Sequence, residues 1–201
     1  MTIYYIGGSP CSGKSTVAEA LAARHGLHYF KVDDHLERYM ALAAQEGKPA
    51  CTQVTGMSPE EIWMRAPQVQ CREELRIYEE IFGYVLADLA AIDAPGVITE
   101  GAAYLPALIR ARGVPADRYL SLTPEKAFQV RHYSRRPWVP HVLAGCSDQA
   151  QAFANWMERD ALFAEAVRRQ CGEAGYASLI NDGSVPAEAL IAQIAAHFGL
   201  A

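Results

Sequence analysis

The sequence contains no C-x-x-C pair, no long apolar run, no basic excess, no internal repeat and no low-complexity stretch. Each absence removes a class of protein. The five cysteines, Cys11, Cys51, Cys71, Cys146 and Cys171, are odd in number and stand singly, which fits reduced thiols and not a disulfide framework. His141 and Cys146 have no second pair at metal-ligand spacing, so zinc is not expected. No apolar run is of membrane length, and the start of the chain passes directly into a strand with no signal peptide before it. The expectation is therefore a cytoplasmic protein with no membrane partner. A net charge of −5 argues against a general nucleic-acid binder, which carries a basic face. Lysine is scarce, four residues against fourteen arginines, a bias from which no function follows. Also missing are the guanine-reading [NT]-K-x-D and the L-S-G-G-Q signature, which lowers the prospects of a regulatory nucleotide switch or a mechanical ATPase.

What remains is a globular composition, 51% hydrophobic and 20% charged, in a chain of 201 residues. That length suits one α/β domain with room for an embedded subdomain. Near the start, Gly8-Ser9-Pro10-Cys11-Ser12-Gly13-Lys14-Ser15 matches the phosphate-binding loop G-x-x-x-x-G-K-[ST], the Walker A motif. The chemistry follows from the residue types. Backbone N–H groups form a nest for a triphosphate, and the glycines let the chain approach it. Lys14 reaches the β- and γ-phosphates, the Ser15 hydroxyl ligates Mg²⁺, and the next helix points its positive end at the anion. A β-forming run, Ile3–Ile6, precedes the loop and a good helix, Ser15–Arg24, follows it. ATP and Mg²⁺ are thus the expected ligands. The expected contacts are Gly8, Ser9, Pro10, Cys11, Ser12, Gly13, Lys14, Ser15 and Thr16.

Strand and helix patterns alternate, which predicts a parallel sheet covered on both faces. Further strands are expected at His28–Val32, Val97–Glu100, Arg118–Leu122 and Tyr176–Ile180. Thr123-Pro124 reads as a helix cap followed by a first-turn proline, and a last helix runs from about Pro186 to Phe198, ending at Gly199. Two long connections stand out. Residues 35–92 form an insertion that looks helical and then loop-like from Leu36 to Cys51. Ser58-Pro59-Glu60-Glu61 then forms a capping box, Pro67 interrupts, and a long helix carries Leu75, Tyr78, Phe82, Val85, Leu89 and Ile92 on one stripe. An acceptor pocket is expected there, because α/β sheets bind ligands beyond the carboxyl ends of their strands. The second connection holds Arg131-His132-Tyr133-Ser134-Arg135-Arg136-Pro137-Trp138-Val139-Pro140, which reads as a mobile lid over about 131–146.

Asp33 lies at the end of the second strand, on the phosphate-loop edge, where a carboxylate can take a proton from a substrate hydroxyl. Asp34-x-x-Glu37 resembles a capping box, which leaves Asp33 for function. Glu100, before Gly101, holds the equivalent place on the third strand and can serve the Mg²⁺ shell or orient the acceptor. Arg131, Arg135 and Arg136 are spaced 4 and 1 apart, so Arg131 and Arg135 share a helix face if the helix persists, and such lid arginines can neutralise charge that develops on phosphoryl oxygens. A solvated charge run is the alternative. Arg38, Tyr39, Trp63, Arg65 and Arg72 are candidate lining of an acceptor pocket, or ordinary helix residues. Asn181-Asp182-Gly183 is a turn that could also touch adenine.

With these residues in place the chain resembles the P-loop kinases that phosphorylate small molecules, such as uridine and nicotinamide riboside kinases, chloramphenicol phosphotransferase, and shikimate and gluconate kinases. Val32-Asp33-Asp34-His35-Leu36 looks like the acid-bearing strand end of the riboside kinases and of chloramphenicol phosphotransferase. Ile98-Thr99-Glu100-Gly101 is similar to the acid-Gly after the third strand of the riboside kinases. The resemblance implies a three-layer P-loop fold, with a five-stranded parallel sheet in the order 2-3-1-4-5, as a single kinase domain. It further implies Asp33 as base, Arg131 and Arg135 as lid arginines, and ATP with a small-molecule acceptor as partners, in a monomer or homodimer. The expected activity is transfer of the γ-phosphoryl group to a hydroxyl. The alternatives are a nucleoside monophosphate kinase or a non-catalytic or regulatory nucleotide-binding protein.

Overall fold

Five short runs rich in β-branched, aromatic and other apolar residues become strands: β1 (Thr2–Gly7), β2 (His28–Lys31), β3 (Gly96–Glu100), β4 (Tyr119–Pro124) and β5 (Ala177–Asn181). The computed structural model, which describes residues 1–200, pairs them all in parallel in the order β2-β3-β1-β4-β5. Alternation along each strand splits the side chains between two cores. Tyr4, Ile6, Ile98, Leu120 and Leu122 pack to one side with helices α1 (Lys14–His25) and α10 (Ala187–His197). Tyr5, Val97 and Tyr119 pack to the other, where α5 (Pro67–Ala90), α6 (Pro106–Ala111) and α9 (Gln149–Ala174) cover the sheet. Burial on both faces is the condition under which a parallel sheet is stable. The result is a three-layer α/β architecture.

This topology places the site. The chain leaves β1 for β2 over one face and leaves the neighbouring β3 for β4 over the other. The crevice that opens at the strands' C-terminal ends is where such sheets bind ligands. The phosphate loop after β1, Asp33 just after β2 and Glu100 at the end of β3 all lie there.

The long helix α5 starts at Pro67, a first-turn position where the missing N–H costs nothing. Its stripe buries Tyr78, Phe82, Val85 and Leu89 as the spacing predicts, and Cys71, Ile77 and Ile81 widen it. Ser58 and Glu61 form the expected capping box on α4 (Pro59–Trp63), with both reciprocal bonds present.

Three local expectations are corrected. The stretch read as loop-like before Cys51 enters a helix: α2 (Leu36–Gln45) is followed by α3 (Pro49–Thr55). The carboxylate of Glu80 on α5 accepts from Ala50 N and Cys51 N at 2.8 and 2.9 Å, so a distant acid satisfies the α3 N–H groups. Thr123-Pro124 does not begin a helix. Both residues pair with Ile180 and Asn181 of β5, and Glu125 N donates to Asn181 O at 2.9 Å. Helix α7 (Lys126–Tyr133) is capped instead by Glu125, whose carboxylate accepts from Phe128 N. Asp34 does not cap α2 either. Val32–His35 winds into a 3₁₀ turn, His35 becomes the residue before α2, and Asp34 pairs with Lys31 at 3.1 Å. The short α8 (Val139–Val142) completes the set. Among the described residues no helix is long and apolar enough to cross a membrane.

Candidate functional site

A cleft of about 550 Å³ lies at the C-terminal edge of the sheet, within the size range of small-molecule sites. Residues Pro10 to Thr16 line its floor, and Gly8 and Ser9 are buried beneath. The loop's shape is set by backbone that few residues tolerate. Gly8 has φ +127°, and a β-carbon there would stand 1.9 Å from the Leu122 carbonyl oxygen of β4. Cys11 is the only non-glycine described with a left-handed backbone, at φ +62°. Between Cys11 and Thr16 no backbone N–H donates to another atom of the described residues, and the first helical bond of this kind is Val17 N to Gly13 O. Those unpaired donors, at the positive end of α1, form an anion nest. Lys14, 6% exposed, folds over it and donates from Nζ to Ser9 O at 2.8 Å. The Ser9 hydroxyl is buried without a partner. Such a donor set fits a polyphosphate.

At one end of the nest, Ser15 Oγ donates to Glu100 Oε1 at 2.8 Å, and Tyr29 OH donates to the same oxygen at 3.1 Å. Glu100 is 1% exposed. Burial, reinforced by the adjacent carboxylate, pushes the Tyr29 hydroxyl far above its ordinary value and keeps it a donor. Gly101 lets the strand end turn here, since a β-carbon would meet Val32 at 2.6 Å. A hydroxyl and one carboxylate are the sparse protein set that Mg²⁺ takes beside substrate phosphates. Asp33 lines the same end, exposed, with no ion-pair or hydrogen-bond partner for its carboxylate among the described residues.

Phe128, His132, Tyr133 and Arg136 form the opposite wall. Arg131 and Arg135 are exposed and are not part of the cleft lining: Arg131 lies within α7 with its guanidinium 5.8 Å from the Phe128 ring, and α7 ends at Tyr133, before residue 135. Arg136 lines it instead. Its Nη2 lies 3.8 Å from Cys11 Sγ, and its guanidinium stacks over Tyr133 and Trp138 at 4.9 and 5.6 Å. The arm is seated on packed aromatics, with Trp63 stacked on Trp156 at 4.5 Å and Trp138 5.8 Å from Trp156. At the far end, Gly183, Val185 and Leu190 face Phe128 and His132, whose rings lie 4.2 Å apart. Asn181 is both turn and strut: its Oδ1 accepts from Gly183 N at 3.0 Å, and its Nδ2 donates to Ser12 O at 2.9 Å.

The insertion candidates are drawn elsewhere. Arg38 pairs with Asp88, to which buried Tyr39 also donates at 2.5 Å. Arg65 grips Glu73 with two nitrogens, at 3.0 and 2.5 Å. Trp63 is covered by Trp156 on one side and by the Arg159 guanidinium at 5.2 Å. Arg72 lines a separate hollow. None of these residues lines the cleft.

Sequence reasoning missed the charged knot behind the cleft. Arg159 of α9 binds Asp160 at 2.7 Å and Glu74 of α5 at 2.6 Å, while Gln129 of α7 donates to Asp160 at 2.6 Å and Tyr78 donates to Glu74 at 2.8 Å. Two carboxylates share one guanidinium, and burial raises the Asp160 carboxyl to about 6 from 3.8. The folded state therefore holds this proton more tightly than the unfolded chain does. The stability it contributes is full below about pH 4 and is lost as pH rises to about 6. Denaturant midpoints should show the unsubstituted protein losing ground to Asp160→Asn across that window, and a constant gap between the two would contradict the assignment.

No family model matches the chain, and no curated protein does. Solved structures match over nearly its full length. TT1252 of Thermus thermophilus is 17% identical, with 97% of this chain and 96% of that one covered and a TM-score of 0.50. A shikimate kinase from Aquifex aeolicus is 20% identical, with 99% and 96% covered and a TM-score of 0.42. A shikimate kinase from Acinetobacter baumannii, in complex with shikimate, is 17% identical, with 96% and 89% covered and a TM-score of 0.49. At these identities the likeness is one of fold.

Proposed function

We propose that this protein is a P-loop phosphotransferase that moves the γ-phosphoryl group of ATP to a hydroxyl of a small molecule. In this reading residues 1–201 act as one kinase domain, with 35–92 bounding the acceptor and 131–146 serving as lid. The observation that carries the proposal is the pairing, in one cleft, of an unsatisfied N–H nest with an unpartnered carboxylate, Asp33. The nest and Lys14 hold and neutralise the phosphates. Asp33 accepts the proton of the acceptor hydroxyl as its oxygen attacks phosphorus, and the bond from phosphorus to the ADP oxygen breaks. Ser15 and Glu100 would hold Mg²⁺, which supplies charge neutralisation at the phosphate oxygens when bound. Arg136, poised over Cys11, takes the lid role assigned in sequence to Arg131 and Arg135.

The test is ADP release across a panel of nucleosides, sugars, vitamins, hydroxy acids and antibiotics, with Lys14→Ala as blank. With an active acceptor, Arg136→Ala should lower turnover by about 10²-fold, the size of one lost transition-state contact. Arg131→Ala and Arg135→Ala should stay near the unsubstituted rate. The reverse ranking would return the lid role to α7.

A further inference from the structure

The insertion of a small-molecule kinase has to meet the acceptor, and its charges decide what can enter. Five cations lie between residues 35 and 92: Arg38, Lys48, Arg65, Arg72 and Arg76. Arg38 is taken by Asp88 and Arg65 by Glu73. Arg72 and Arg76 line a different hollow, between α3 and α5, together with Glu73, Glu79 and Glu80. Lys48 precedes α3, and its charge acts on Glu80. Behind the cleft, Arg159 is held between Glu74 and Asp160. Each cation from these elements is thus matched by carboxylates or turned away.

The cleft's own cations face the phosphate loop or a neighbouring carboxylate. Lys14 closes over the phosphate nest, Arg136 lies against Cys11 of the loop, and Lys31 pairs with Asp34 at 3.1 Å. At the acceptor end the unpartnered charge is Asp33, with Glu100 beside it in the same wall. A carboxylate or phosphate on the acceptor would meet like charge there, while Arg136, the one guanidinium lining the cleft, lies against Cys11 of the phosphate loop.

Resting on the kinase reading above, we infer that the acceptor is a hydroxyl-bearing molecule without an anionic group, uncharged or cationic. Specificity here is set by repulsion as much as by attraction. The same charge arrangement disfavours a nucleoside monophosphate as acceptor, since Arg38 and Arg65 of the insertion are ion-paired and Arg72 and Arg76 line a separate hollow.

The experiment uses the full chain with saturating Mg-ATP and follows ADP release with matched acceptors. The pairs are nucleosides with their monophosphates, sorbitol with gluconate, and shikimate methyl ester with shikimate. Aminoglycosides and phenicols extend the uncharged and cationic arm. The expected result is turnover confined to uncharged or cationic members, with kcat/KM at least tenfold above that of the anionic counterpart. An anionic member ahead of its partner overturns the inference. So does a chain that shows a thermal shift with Mg-ATP yet turns over no uncharged or cationic member. Loss of the Mg-ATP shift itself, with no turnover anywhere, is a distinct outcome: it sinks the kinase reading and this inference with it.

Discussion

Asp33→Asn should lower turnover of the acceptor by about 10³-fold while leaving Mg-ATP binding and folding unchanged, within the range expected for loss of a positioned general base. The split follows from the surroundings of Asp33. Its carboxylate has no partner to orphan, it is exposed, and it sits at the end of the cleft opposite Val185 and Leu190. The amide keeps the shape of the side chain and removes only its capacity to take a proton. A thermal melt with and without nucleotide reads the binding half, and steady-state ADP release reads the chemical half. Turnover retained within tenfold would mean that the nucleophile needs no base here, as when the acceptor is itself a phosphate. A melting temperature that falls with activity would mean that Asp33 holds the 3₁₀ turn together instead.

Gly8→Ala should be the most damaging single substitution for stability, at about 3 kcal/mol or more. The backbone at φ +127° is a conformation that L side chains rarely adopt, and the added carbon would lie 1.9 Å from Leu122 O. That neighbour is backbone in the middle of β4, paired with β5, so it cannot rotate away as a side chain could. The cost falls on the β1–β4 contact beneath the phosphate nest. For a chain of this size the loss corresponds to a melting temperature lower by about 6–12 °C, and nucleotide binding should go with it. Gly26→Ala is the control: the residue is also left-handed, at φ +62°, but nothing lies within 4 Å of the new carbon. Its cost should be about 1 kcal/mol. Equal effects at the two positions would show that the close approach at Leu122 does not constrain the loop.

What could be read from sequence was local. The phosphate loop, the period-2 strands and the α5 stripe are written within a few residues of themselves, and each appears where its pattern lies. The sheet order came from resemblance and is the order observed. Two of the misreadings share a cause, a distant partner that overrode a local preference: Thr123 and Pro124 join β5 by ladder pairing, and Glu80 caps α3 from another helix. Asp34 is a local case, drawn into a 3₁₀ turn and a pair with Lys31 three residues before it. The insertion arginines looked available because Asp88 and Glu73 gave no sign in sequence of facing them. Arg136 belongs to the same sequence cluster as Arg131 and Arg135, and those two stand out only for a helix that stops at Tyr133. The knot at Arg159 and Asp160 did leave a signal. Both occupy positions on the stripe that continues from Trp156 to Phe163 and Val167, where apolar residues belong. Charge at such positions marks buried polar structure.

The most direct test of the account is a calorimetric titration of the protein with Mg-ATP, in parallel with Lys14→Ala. Saturable one-site binding is expected, lost or weakened by at least about tenfold in the variant, since Lys14 is the cation folded over the phosphate nest. No binding of ATP or GTP, or equal binding by the two proteins, would contradict it.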